Sequence, residues 1–316
     1  MEVPPVVGMQ TLLSILLAIA CAQDPVQPPP AKDPETPIKV DVDVVNVLCT
    51  VYDKRGVLVS DLKKDDFEIF ENGRRQEIRY FARDTDLPLT VALLVDVSGS
   101  VARLVELEKD TAAKFLEAVL RPSDQALLVG FSSTIIMWRD FTSSTTALRD
   151  ALTRLRSMPF RGLPADGQPM PATLFYDAVY AIATNKLTNV PGRKAMLIIS
   201  DGLDNGSVKH APDAIEAVQK TDSLVYGICY TTGYSGCSYL KDLAEPTGGR
   251  MFEVGKKMPL SKIFEIIEAE MRSQYALGYV SSNAAHDGSF RKLQVRLRPK
   301  GLKIETRKGY YAASAN

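Results

Sequence analysis

The sequence predicts an α/β protein: a doubly wound, mostly parallel sheet inserted in, or flanked by, a small all-β sandwich. Three observations predict it. Between residues 87 and 273, short apolar runs alternate with stretches of helical spacing, as in a sheet covered by helices on both faces. On either side of that region, apolar and polar residues alternate singly, the period of half-buried strands. Neither flank holds enough strands to be stable alone, so the two are expected to combine. A chain of 316 residues with 45% hydrophobic content can form such a core.

The N-terminal run "TLLSILLAIACA" (11–22) is apolar but short of the ~20 residues that span a bilayer. It suits a signal peptide over 1–22, with Ala20-Cys21-Ala22 as a small-residue cleavage site before Gln23. Ala18-Ile19-Ala20-Cys21 also loosely resembles a bacterial lipobox without its first Leu, which would make Cys21 a lipidation site and a membrane anchor. No Lys or Arg precedes the run and Glu2 is acidic, a feature that fits neither reading. Export is the expectation: periplasmic, outer-membrane-anchored or secreted. Residues 23–37 are Pro-rich and polar and read as a linker.

Residues 38–86 form the first part of the sandwich. "VDVDVVNVLCTVYD" alternates strongly, "DKRG" is a turn, and Asn72-Gly73 between "FEIF" and "IRYF" predicts a hairpin. The central domain spans 87–273. "LTVALLVD" is a buried strand and 101–120 a helix. "QALLVGFSS" and "TIIMWRDFT" are strands joined by a short link, which predicts an antiparallel pair. Trp138, the only Trp, falls on the second of these and reads as edge or core packing. A helix over 147–155 precedes the Gly/Pro-rich loop "MPFRGLPADGQPMPAT". A helix over 174–185 and the strand "KAMLIIS" follow, and alternation continues to a last helix over 260–273. "QYALGYVSS", "RKLQVRLRP" and "LKIETRKGYYA" supply the second part of the sandwich over 274–312.

Lys+Arg 38 balances Asp+Glu 38, so no nucleic-acid partner is expected. A local basic bias from Arg291 to Lys308 reads as a solvated strand face. Four Cys occur, at 21, 49, 229 and 237. Cys229 and Cys237 either close a small loop as a disulfide or stay apart, the first in the core and the second in a loop. With no C-x-x-C and only two His, no zinc site is expected.

Chemistry concentrates where strands end. In a doubly wound sheet, ligands sit outside the carboxyl ends of the strands, at the switch point. Asp96 closes "VALLVD", and Ser98 and Ser100 follow at alternate positions. Thr173 opens a helix after the long loop, and Asp201 closes "KAMLIIS". Two carboxylates and three hydroxyls form an all-oxygen set that suits a hard cation: Mg²⁺, or Mn²⁺ or Ca²⁺. They leave coordination positions that an acidic partner group can complete. Asp177 reads as a first-turn helix carboxylate. Asp204 reads either as a loop cap or as a further member of the site.

Asp96-Val97-Ser98-Gly99-Ser100, with Thr173 in "ATLFYDAV" and Asp201 in "LIISDGLDN", resembles the metal-ion-dependent adhesion site of von Willebrand factor type A domains, which have a Rossmann-like fold. The flanks, with "CTVYDKRGVLVSDLKKDDFEIFENGRRQEI" before and "GYY" after, are similar to exported acidobacterial proteins that carry such a domain. The resemblance implies Ser98, Ser100 and Thr173 or Asp201 as direct ligands, with Asp96 acting partly through water. Met170-Pro171-Ala172 stands where the family often has Gly-Gly.

The resulting expectation is a non-enzymatic, exported, protein-binding module that captures an Asp or Glu of a partner protein through a metal ion. One alternative is a structural module with a degenerate site that binds through its sandwich. Another is a haloacid-dehalogenase-like phosphotransferase, but the acid/base position of D-x-D holds Ser98. G-x-S-x-G and the phosphate-binding glycine motifs are absent.

Overall fold

The computed structural model describes residues 44–83, 87–99, 102–156, 172–230 and 237–314. The expected signal peptide (1–22), the expected linker (23–37), Cys21 and Ser100 lie outside them. Strand β1 (Val44–Tyr52) comes first, then β2 (Phe67–Glu71), β3 (Arg74–Gln76) and β4 (Ile78–Arg83). The Asn72-Gly73 turn joins β2 to β3, with Asn72 at φ 47° and Gly73 at φ 82°, the left-handed pair that a tight hairpin requires. The structure corrects the extent of this hairpin. "RRQEIRYFA" does not continue as one strand: β3 stops at Gln76, and β4 crosses to the other sheet of the sandwich.

The central domain contains β5 (Leu89–Asp96), α1 (Ala102–Val119), β6 (Gln125–Phe131), β7 (Ile135–Thr142), α2 (Thr145–Arg154) and α3 (Phe175–Ile182). It continues with β8 (Arg193–Ser200), α4 (Ala211–Lys220), β9 (Ser223–Tyr230), α5 (Cys237–Thr247), β10 (Arg250–Val254) and α6 (Leu260–Arg272). The sheet order is β10-β9-β8-β5-β6-β7. All neighbours run parallel except β7, which is antiparallel to β6 at the edge. Trp138 packs there, partly buried, against the core.

Every residue of β5, β8 and β9 is buried, which explains their unbroken apolar runs. Alternate residues feed opposite cores. Leu89, Val91, Leu93 and Val95 face α1, α2 and α6, whereas Ala92 and Leu94 face α3, α4 and α5. Phe115 of α1 stacks on Phe264 of α6 at 4.2 Å between centroids, closing the first of these layers.

The chain ends with β11 (Tyr275–Val280), β12 (Phe290–Leu297), β13 (Lys303–Thr306) and β14 (Gly309–Tyr311). These interleave with the opening strands in two sheets, β13-β1-β11-β4 and β14-β12-β2-β3. Val47, Val51, Ile69, Tyr275, Leu277 and Leu293 fill the space between them. The stretch "LKIETRKGYYA" is not one strand as expected. It breaks at Arg307-Lys308, and its halves join different sheets. The basic bias divides in the same way: Lys292 and Arg296 are exposed along β12 and Arg298 just after it, but Arg291 and Arg307 are buried. Arg291 supports a buried polar cluster in which Glu71 accepts from Tyr279 Oη (2.7 Å), Tyr310 Oη (2.9 Å) and Ser281 Oγ (2.7 Å). Arg307 reaches across to Asp222 and to the carbonyl of Asn46, tying sandwich to central domain. A second tie runs from Glu270 of α6 to Arg250 (2.7 Å) and on to Tyr52 Oη of β1 (3.1 Å).

Candidate metal centre

Strand order reverses between β5 and β8, because the chain leaves β5 toward β6 and leaves β8 toward β9. Asp96 and Asp201 mark the carboxyl ends of these two strands. Asp96 follows Leu94 in the alternation and falls on the α3 side of the sheet. It is fully buried. Its Oδ1 accepts from the Ser98 N–H at 2.9 Å, and its Oδ2 accepts from the Ser200 hydroxyl at 2.6 Å. Burial pushes its pKa up to about 6 against the pull of these hydrogen bonds, and the nearby Asp201 charge adds to the rise.

Asp201 is 1% exposed. Its Oδ1 accepts from the Leu203 N–H at 3.2 Å, while its Oδ2 is buried with no hydrogen-bond partner among the described residues. A carboxylate oxygen withdrawn from water and left without a donor is costly unless a cation or proton meets it. Ser132, at the carboxyl end of β6, likewise buries a hydroxyl without a hydrogen-bond partner among the described residues.

Thr173 is buried and is held against the loop that follows β8. Its N–H donates to Asn205 Oδ1 at 2.6 Å, and its carbonyl accepts from the Asn205 N–H at 3.3 Å. The Leu174 N–H donates to the Ser132 carbonyl at 2.9 Å. Asp204 Oδ1 accepts from the Phe175 N–H at 3.0 Å and from Ser207 Oγ at 2.5 Å, so Asp204 caps the first turn of α3 from another loop. Asp177 accepts from the N–H groups of Val208 and Lys209 and holds that loop in place. Ser98 is half-buried beside Asp96.

Among the described residues, no three His, Cys, Asp or Glu side chains gather where they could hold a metal ion. What meets at the rim is a carboxylate pair with hydroxyls around it. All its donors are oxygen, and one is orphaned; this set fits a hard divalent cation and not a soft one. Three contributors escaped sequence reasoning. Ser200, Asn205 and Ser132 are ordinary polar residues at strand or loop ends, and only the pairing of β5, β6 and β8 brings them here.

The Cys229–Cys237 pair is a disulfide, with Cα atoms 5.6 Å apart. Cys229 is opposite Ser200 in the β8–β9 register, and its sulfur is 3.8 Å from the Asp201 carbonyl oxygen. Cys49 is a free thiol buried in the sandwich, and burial pushes its pKa up to about 12.

No protein-family model and no curated protein sequence matches the chain. Solved structures do. Proximal thread matrix protein 1 from the mussel byssus aligns at a TM-score of 0.50 and 17% identity, over 64% of this chain and 51% of that one. The same mussel protein with a zinc-occupied MIDAS motif aligns at 0.49 and 16%, over 64% and 49%. The conserved hypothetical protein BatB from Bacteroides thetaiotaomicron aligns at 0.46 and 16%, over 58% and 97%. The match spans about half the length of the mussel protein, and identity this low speaks to fold alone. Strand order and this likeness together give the central domain a von Willebrand factor type A-like fold.

Proposed function

We propose that this protein is an exported, non-enzymatic binding module that captures an acidic side chain of a partner protein through a divalent cation at the carboxyl ends of β5 and β8. The observation that carries this reading is the orphaned Oδ2 of Asp201 beside a fully buried Asp96. Ser98, Ser100, Thr173 and Asp201 are the proposed ligands, and Mg²⁺ is the proposed ion. Both oxygens of Asp96 are already engaged by Ser98 and Ser200, which suits a residue that orders the site from behind. Asp204 is committed to capping α3 and is left out of the ligand set. When bound, the cation supplies an electrophilic position to a partner carboxylate. Nothing at the rim offers a general acid or base two residues after Asp96, where a phosphotransferase would need one. The disulfide supports export, since such bonds persist in oxidising compartments.

The test is calorimetric titration of Mg²⁺ and Mn²⁺ into the chain from Gln23, beside its Asp96→Ala variant. Saturable binding that the variant loses supports the reading and justifies a partner search with and without chelator. No binding to either metal favours the structural alternative, with the sandwich as the working surface.

A further inference from the structure

We propose that the Cys229–Cys237 disulfide sets the cation affinity of this site, so that partner capture follows the thiol–disulfide state of the chain; this rests on the binding reading above. The bond joins two elements that meet beside Asp201. Cys229 is the penultimate residue of β9 and lies opposite Ser200, whose hydroxyl donates to Asp96. Cys237 opens α5, which is anchored in the core by Leu240, Leu243 and Ala244. The cross-link therefore fixes the end of β9 to a packed helix. The Cys229 sulfur also lies 3.8 Å from the Asp201 carbonyl oxygen. Among the described residues Asp201 has few other holds: one carboxylate oxygen engages the Leu203 N–H, and the other has no hydrogen-bond partner. Its position depends on the backbone around it.

Reduction changes two of these terms. Cys229 is fully buried and Cys237 is 7% exposed, so an incoming thiolate meets the Cys237 sulfur first. It bonds to that sulfur, and Cys229 departs with the S–S electron pair and takes a proton. The second thiol of a dithiol reductant then displaces Cys237, which also ends as a thiol, and the reductant ends as a cyclic disulfide. The tether between β9 and α5 is lost. Cys229 also becomes a thiol, whose weak S–H donor can turn toward or away from the Asp201 carbonyl. Loss of the tether removes preorganisation from the peptide that positions the orphaned carboxylate, and one weak S–H contact does not replace a covalent cross-link.

The experiment is Mg²⁺ calorimetry on the full chain in three states: oxidised, reduced with dithiothreitol, and reduced then reoxidised, with the Cys237→Ser variant alongside. Mg²⁺ is the probe because thiolates do not take a hard cation. The reduced protein and the variant are expected to bind roughly threefold to tenfold more weakly than the oxidised protein, the scale of a lost preorganised contact. Reoxidation restores affinity in the wild type only. A melting curve for each form separates loss of affinity from loss of fold, and the reduction arm stands without the variant. Equal affinity in oxidised and reduced forms, or tighter binding after reduction, overturns the proposal while leaving the cation site intact. No Mg²⁺ binding by the oxidised protein overturns the site and this inference together.

Discussion

At the rim of the central sheet two buried carboxylates are treated differently. Asp96 has a donor on each oxygen, and Asp201 has a donor on one. Asp201→Asn is expected to abolish Mg²⁺ binding by calorimetry while the metal-free variant melts within about 3 °C of wild type. Mg²⁺ at a hundred times its Kd should stabilise the wild type by about 2.7 kcal/mol, and the variant should show no such shift. Asp96 makes a pH prediction. Its carboxyl titrates near 3.8 unfolded and at about 6 folded, so between those values the folded chain holds the extra proton. The stability that this group contributes therefore falls as pH rises from about 4 to about 6. Urea melts in EDTA at several pH values across that window should show the slope, and Asp96→Asn should remove it. Glu71 serves the sandwich as a hub for three hydroxyls and Arg291. Glu71→Ala leaves that guanidinium buried without its carboxylate and should cost about 3–5 kcal/mol in chemical denaturation. Asp96, Thr173 and Asp201 stand out in the sequence because each sits at the edge of an apolar run. Ser200 does not, because a serine ending a strand carries no periodic signal.

Helix α3 takes the cap of its first turn from a separate loop. Its first turn has no side-chain cap of its own, and Asp204 supplies one from 29 residues away. Asp204→Ala should lower stability by about 1 kcal/mol and weaken Mg²⁺ binding far less than Asp201→Asn does. Equal loss of binding in the two variants would instead make Asp204 a ligand. The sequence left Asp204 open for a physical reason: a capping carboxylate and a metal-binding one look alike until the helix N-terminus is placed beside it. The strands show the same division. The runs of β5, β8 and β9 are legible because burial on both faces forces continuous apolarity. The breaks at Gln76–Ile78 and at Arg307-Lys308 are not, since a strand that changes sheets keeps its alternation and shifts only its partner.

Over the whole molecule, the first and last strands depend on each other. β1 lies between β11 and β13, and β2 lies between β3 and β12. A chain ended after Ser273 would leave β1, β2 and β4 without those partners. Such a chain is expected to lose the sandwich's share of the cooperative transition and to collect in inclusion bodies, as read by urea unfolding and soluble yield. The last residue of β4, Arg83, pairs with the first residue of β11, Tyr275. The point where the chain leaves the sandwich is thus the point where it returns, and the central domain takes the place of a hairpin loop. This geometry has a consequence for biosynthesis. At roughly 5–20 residues per second, the ribosome needs about 10–40 s to make the stretch between Arg83 and Tyr275. For that interval the valines of β1 wait with no strand to cover them. Until its final segment emerges, the nascent chain therefore carries an uncovered apolar strand that is open to aggregation.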